Sequence, residues 1–240
     1  MIQRNIPVST VGLRTEDTIQ VTGVENVMKP IIHFREQGEP YTLHLPIPGH
    51  YNVWNSIGAV LLARRRGIPY DTIAEAIASF PGVPGRFQKF EHPSGAVVVV
   101  DYAHTPDGLL QCLETIRAMK PKRILHIFGF RGNKDDSKWG VMLNISNRYC
   151  GKTILTFDDR NGVPKEKILQ SYQSFSGRCE VIEDRTMAIS HAWEVVKKGD
   201  WIVITGKGPE PYTEPFILST SSDIETIRVL SERVTPQNKL

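Results

Sequence analysis

The chain has 240 residues, 40 % hydrophobic and 23 % charged, with 29 basic and 26 acidic side chains for a net charge of +3. That composition excludes a disordered, collagenous or coiled-coil chain, and the charge is too balanced to signal a nucleic-acid partner. No apolar run approaches the ~20 residues of a membrane helix and Met1 to Pro7 carry no signal-peptide core, so a cytoplasmic protein with no membrane partner is expected.

The first 46 residues read as short strands and turns. Thr18–Thr22 alternates as a strand, and Ile31–Phe34 and Tyr41–Leu45 flank Gln37-Gly38-Glu39-Pro40 as a hairpin loop. Residues 50–80 turn helical. Val53, Ile57, Val60, Leu61 and Ala63 recur at helical spacing up to Gly67, and Asp71 is expected to cap a second helix with Ile73, Ala74 and Ile77 inward. Pro81-Gly82-Val83-Pro84-Gly85 then breaks the pattern and places a boundary between a unit at 1–82 and another at 83–240.

Beyond residue 96 strands and helices alternate. Ala96–Val100, Ile124–Phe128, Thr153–Thr156, Glu180–Ile182 and Trp201–Thr205 read as strands. Pro106–Met119, Trp139–Tyr149, Pro164–Ser174 and Thr186–Lys197 read as helices, the last capped by Asp184. This order specifies an α/β fold with a mostly parallel, Rossmann-like sheet and ligands beyond the carboxyl ends of its strands. Cys112, Cys150 and Cys179 form no C-x-x-C pair, so each is expected to be a reduced, small apolar residue, and no metal ligand set is assigned. The basic runs Arg64-Arg65-Arg66 and Lys120 to Arg123 read as solvated helix ends.

Polar clusters follow the strands. Asp101-Tyr102-Ala103-His104-Thr105-Pro106-Asp107 suits a hydroxylated or anionic ligand at a helix N-terminus, or equally a helix cap with His104 at the surface. Gly129 to Lys138 combines two glycines with Arg131, Lys134 and Lys138 and suits an anion, or else is an exposed turn. Asp158-Asp159-Arg160-Asn161 and Gly206-Lys207-Gly208-Pro209-Glu210 follow two further strands. The second is not a phosphate loop, which requires G-x-x-x-x-G-K-[ST], and that motif occurs nowhere in the chain.

These motifs resemble the C-terminal half of a Mur ligase, and most closely its tripeptide-synthase branch, over about residues 8 to 230. Asp101 to Asp107 match the family's D-Y-A-H-T-P-D without change. Gly49 to Asn55 resemble G-x-F-N-V-x-N, Pro84 to Phe87 resemble P-G-R-[FM], Gly206 to Glu210 resemble G-K-G-H-E with one change, and Asp184 to Ile189 resemble D-R-x-x-A-I. The resemblance implies a three-domain ATP-dependent ligase of peptidoglycan precursor synthesis. In it ATP phosphorylates the carboxylate of a UDP-muramoyl-peptide-like acid, and an amino acid attacks the acyl phosphate. It further implies that 1–82 is the back part of the central ATPase domain, with an incomplete core, while the phosphate loop and the magnesium ligands are absent from this sequence. The chain would then be a fragment, a split subunit needing a partner that bears the phosphate loop, or a truncated paralogue, and inactive alone.

Carried over, Asn55 would contact adenine with Asn52 bracing its turn, and Arg86 and Asp101 would hold the ribose with Tyr102 and His104 beside them. Lys134, Asp135 and Lys138 match the family's G-D-R-D-x-x-K, with lysine in place of arginine. Gly206, Lys207 and Glu210 would face the amino end of the incoming amino acid. Asp158, Asp159, Arg160 and Asn161 stand where the family's D-N-P-R selects diaminopimelate, with Asn161 in the place of the arginine. Two other readings stay open: a paralogue joining a different amino acid to another acid, as cyanophycin or folylpolyglutamate synthetases do, and a non-catalytic nucleotide-binding module.

Overall fold

A computed structural model describes residues 8–175 and 177–234. The chain divides into two compact units, Met1–Gly82 and Val83–Leu240.

In the first unit, strands β1 (Val11–Gly12), β2 (Ile19–Glu25), β3 (Ile31–Glu36) and β4 (Glu39–His44) form a sheet in that order. β1 and β2 are parallel and the others antiparallel. The β3–β4 loop is tighter than the expected four residues. Glu36 pairs with Glu39, leaving only Gln37 and Gly38, whose φ values of 53° and 90° make the paired left-handed turn that suits the strand twist. Pro40 therefore lies in β4, tolerated because β4 is an edge strand.

Helix α1 (His50–Arg65) and helix α2 (Tyr70–Ala78) follow. Ile19, Val21, Ile32, Phe34 and Leu43 on the sheet cluster with Val53, Ile57, Val60 and Leu61 of α1 and Ile73 of α2, so the described part of this unit has a core of its own. Asp71 does not cap α2. The helix begins one residue earlier behind Pro69, whose carbonyl accepts the amide of Ile73 at 3.2 Å, and Asp71 instead places its charge in the first turn. Arg64, in the last turn of α1, is less solvated than expected, because its Nε donates to Glu36 Oε2 at 2.8 Å.

The second unit holds β5 (Gln88–Glu91), β6 (Val97–Asp101), α3 (Pro106–Ala118), β7 (Arg123–Phe128), α4 (Trp139–Tyr149), β8 (Lys152–Leu155), α5 (Lys165–Gln173), β9 (Glu180–Val181), α6 (Arg185–Val195), β10 (Asp200–Thr205) and α7 (Asp223–Val234). Its sheet runs β5-β6-β10-β7-β8-β9, all parallel except β5, which pairs antiparallel with β6. The fold is thus the mixed α/β, Rossmann-like one expected, with β5 and α7 added. Strand pleating sorts the core into two layers. Val99, Ile124, Phe128, Trp201 and Val203 face α3, α4 and α5, whereas Val98, Val100, Leu125, Ile127, Ile202 and Ile204 face α6 and α7. Thr105 caps α3 by accepting the Gly108 amide at 3.2 Å, and Asp184 caps α6 by accepting that of Met187 at 2.9 Å. Cys112, Cys150 and Cys179 are free thiols, and burial pushes Cys150 up to about 12. Among the described residues no helix is long and apolar enough to cross a membrane.

Candidate functional site

Four loops leave the carboxyl ends of β6, β7, β8 and β10 in the second unit, and their side chains bind one another. The β6 loop is set by Asp101. This buried carboxylate accepts the amide of Phe87 at 2.7 Å and that of Ala103 at 2.8 Å, so it fixes the turn on which Tyr102 stands. Burial raises its pKa, and the two amides and the Arg86 charge only partly oppose this. The Arg86 guanidinium lies 4.3 Å from the centroid of the Tyr102 ring, and His104 meets the same ring edge-on with centroids 4.7 Å apart.

The β7 and β8 loops are zipped together. Asn133 Nδ2 donates to the carbonyl of Asn161 at 2.7 Å, Asn161 Nδ2 donates to that of Gly132 at 2.9 Å, and the Gly132 amide donates to the carbonyl of Asp159 at 2.9 Å. A Cβ on Gly129 would strike the carbonyl of Thr156, and one on Gly132 that of Arg160, so glycine is required at both close approaches. Asn161 is thereby a brace between loops. Arg160 is engaged as well, its Nε and a terminal nitrogen each 2.5 Å from Glu214 Oε2.

Charges then cross the site. Lys207, fully buried in the β10 loop, donates to Asp159 Oδ1 at 2.6 Å and sits 3.6 Å from Asp158 Oδ1. Thr213 also donates to Asp159 Oδ1, at 2.6 Å. Burial would raise the pKa of Asp159, but the hydrogen bonds of Lys207 and Thr213 outweigh it and hold the carboxyl below its ordinary value. Arg131 pairs with Glu210 and places Nε 3.6 Å from Asp158 Oδ1. The Tyr102 hydroxyl donates to the other oxygen of Glu210 at 2.6 Å, and that bond pushes the phenol pKa up. Beside this network lies a cavity of about 350 Å³, lined among others by His104, Arg131, Lys134, Asp135, Lys138 and Asp158. Lys138 Nζ donates to the carbonyl of His104 at 3.2 Å, and Asp135 accepts from Ser137.

The fold therefore brings together Tyr102, His104, Lys134, Asp135, Lys138, Asp158, Asp159, Lys207 and Glu210, with Arg86 and Asp101 at the base of the β6 loop. Gly206, with φ of 109°, turns the chain out of β10, its absent Cβ leaving room for Asp158 Oδ2. Asn52 and Asn55 belong to α1 of the first unit, where Asn52 Nδ2 donates to the carbonyl of Pro48 at 2.7 Å and Asn55 Nδ2 to Asn52 Oδ1 at 3.3 Å. Thr213 and Glu214 went unread because nothing periodic marks the segment after β10. Arg131 stood out only as one of three loop cations, since its acidic partners come from two other loops.

Residues 85–208, which contain all four loops up to Gly208, match the sequence profile of the Mur ligase glutamate ligase domain. The chain belongs to the Mur ligase family. It is 30 % identical over 215 residues to the UDP-N-acetylmuramoyl-L-alanyl-D-glutamate–2,6-diaminopimelate ligase of Alkaliphilus oremlandii, covering 87 % of this chain and 44 % of that one. The chain thus spans under half the length of that curated relative. A solved structure of a ligase of the same name matches with a TM-score of 0.60 at 26 % identity, over 94 % of this chain and 48 % of the other. A Mur ligase of Thermotoga maritima solved in complex with ADP has a TM-score of 0.60 at 18 % identity, over 92 % and 46 % of the two chains, a likeness of fold. In Mur ligase terms, residues 85–208 are the C-terminal domain.

Two buried polar clusters brace this Mur ligase domain. His126 of β7 bonds Ser146 Oγ at 2.8 Å and Thr205 Oγ1 at 2.9 Å, and burial drives its pKa down to about 3, so the ring is neutral. Arg185 and Asp223 tie α6 to α7, and Arg185 also donates to the carbonyl of Thr205 at 3.0 Å, at the end of β10.

Proposed function

We propose that this chain is the C-terminal part of an ATP-dependent acid–amino-acid ligase of peptidoglycan precursor synthesis, supplying the amino-acid site and contacts to the nucleoside. One observation carries this reading: three strand-end loops of a Mur ligase domain line one cavity with cationic and acidic walls, and the fourth, after β10, is ion-paired to it through Arg131 and Asp158. The naming of the Alkaliphilus relative as an acid–amino-acid ligase supports the reaction class.

Arg86, planar and stacked on Tyr102, offers a cation at the surface, and Asp101 positions the Tyr102 turn. ATP, the energy source in the family, would supply the phosphoryl group that activates the acid's carboxylate. An adenosine moiety would lie beside Arg86 and Tyr102, where the guanidinium covers the aromatic ring. No phosphate-loop motif occurs in the sequence, so the phosphate cradle, the magnesium ligands and the UDP-muramoyl-peptide-like acid's site would come from an N-terminal half. The domain's own work is to hold the incoming amino acid and to exclude water around its amine while acyl transfer occurs. Residues 1–82 are read as the back part of the central domain and 83–240 as the C-terminal domain.

A second reading, that the amino acid differs from diaminopimelate, is favoured by Arg160 and Asn161. At the position where the family selects that substrate, both side chains are engaged within the domain.

The test is a chimera in which residues 8–234 replace the C-terminal half of the Alkaliphilus ligase. Supplied with ATP, the acid substrate and a mixture of amino acids, it is expected to release phosphate and form an amide. A folded chimera that forms no amide with any amino acid overturns the ligase reading.

A further inference from the structure

Glu210 and Asp158 come from two different loops and converge on one cation. That cation is Arg131, ion-paired with Glu210 and with Nε 3.6 Å from Asp158 Oδ1, while Tyr102 donates to the second oxygen of Glu210. Nε is buried and has no hydrogen-bond partner among the described residues. The ammonium groups of the same cavity are in the opposite condition. Among the described residues Lys134 makes no hydrogen bond or ion pair and Lys138 makes no ion pair, its ammonium donating only to a carbonyl. Asp158 and Glu210 are thus answered by a cation of the chain itself, whereas the ammonium groups of Lys134 and Lys138 have no acidic partner among the described residues.

We propose that Arg131 sets the specificity of this cavity by standing where a ligand's ammonium group would bind, so that the side chain accepted carries a carboxylate and no distal amine. This deepens the reading of these loops as an amino-acid subsite and rests on it. An incoming ammonium must displace Arg131 from Glu210 and leave a guanidinium unpaired beside Lys134 and Lys138, a like-charge arrangement that selects against it. An incoming carboxylate meets the ammonium of Lys134 and the remaining donors of Lys138 and leaves the Arg131 pair intact.

The experiment is a titration of the isotope-labelled 240-residue chain followed by backbone amide shifts, with glutarate, 1,5-diaminopentane and inorganic phosphate as probes. Glutarate is expected to shift the amides of Gly129 to Lys138, with diaminopentane and phosphate at least several-fold weaker. In Arg131→Gln, a neutral variant of similar length, the affinity for diaminopentane is expected to rise about tenfold relative to glutarate, the change of roughly 1.4 kcal/mol that one gained charge pair gives. Arg131→Lys, which keeps the charge, should keep the order of the unaltered chain. The proposal is overturned if diaminopentane binds the unaltered chain as well as glutarate does, or if Arg131→Gln leaves the order unchanged. Equal binding of phosphate would make the cavity a general anion site and overturn the side-chain assignment, as would no shift with any probe. These titrations need neither ATP nor an acid substrate. Their failure therefore leaves the ligase reading to the chimera, whose amino-acid mixture presumes no side chain.

Discussion

Arg185 grips Asp223 in two hydrogen bonds, Nε to Oδ1 at 2.7 Å and a terminal nitrogen to Oδ2 at 2.8 Å, with both side chains wholly buried. Tyr212 adds a third bond to Asp223 at 2.9 Å. Removing one partner leaves an uncompensated buried charge. Asp223→Asn and Arg185→Met should each destabilise the second unit by about 3–5 kcal/mol. The double variant should be less destabilised than the two single effects added together. Denaturant unfolding of the four proteins measures the coupling, and simple additivity would show that the pair does not act as a unit.

His126 makes stability fall with acid. Its pKa is near 3 in the folded chain and about 6.5 unfolded, so below pH 6.5 the unfolded chain binds a proton that the folded one does not. The contribution is intact above pH 6.5 and lost progressively as pH falls toward 3, at up to about 1.4 kcal/mol per unit. Unfolding midpoints between pH 7 and 4 should drop more steeply for the unaltered chain than for His126→Gln. Parallel profiles for the two proteins would refute this.

The 240-residue chain alone should neither hydrolyse ATP nor form amides, because its sequence holds no phosphate loop. Phosphate release above a buffer blank that Asp101→Ala abolishes would contradict this.

Adenosine nucleotides should bind weakly, and AMP and ATP nearly equally, since charge-assisted contacts to the phosphates are missing. Arg86→Ala should weaken both alike, through loss of the guanidinium stacked on Tyr102. Calorimetry showing a marked preference for ATP would count against this contact set.

Limited proteolysis should cut first within 81–85, where two glycines and two prolines join the units, and leave the second unit resistant. Mass spectrometry identifies the sites. Early cuts inside β6, β7 or β10 would show that this unit does not hold together alone.

Much of the second unit was legible because its physics is local. Val97–Val100 and Ile202–Ile204 are continuous apolar runs, and Thr105-Pro106 and Asp184 announce helix starts in the residues themselves. The strand β5 was not legible. Gln-Lys-Phe-Glu is half exposed at a sheet edge and carries only Phe90 as an apolar contact. Helix α7 was missed behind the long irregular segment that follows β10. The candidate residues were visible by their positions after strands, and the family resemblance sharpened them. Their bonds were not visible, since the partners of Arg131, Lys207 and Arg160 are 27 to 79 residues away and depend on which loops the sheet order brings side by side.

The place of β10 has a consequence for how the domain is made. Of the strands of this sheet among the described residues it is the last in the chain, yet it lies inside the sheet, bonded to β6 on one side and β7 on the other. Until residues 200–205 have emerged from the ribosome, the inner edges of Val97–Asp101 and Arg123–Phe128 have no neighbour, and these are among the most apolar edges of the protein. The domain cannot be completed strand by strand from its beginning. Closure waits for long-range pairing, which is slow and leaves sticky edges open to other chains in the interval. Chains terminated shortly before Asp200 should therefore aggregate rather than persist as a smaller folded unit.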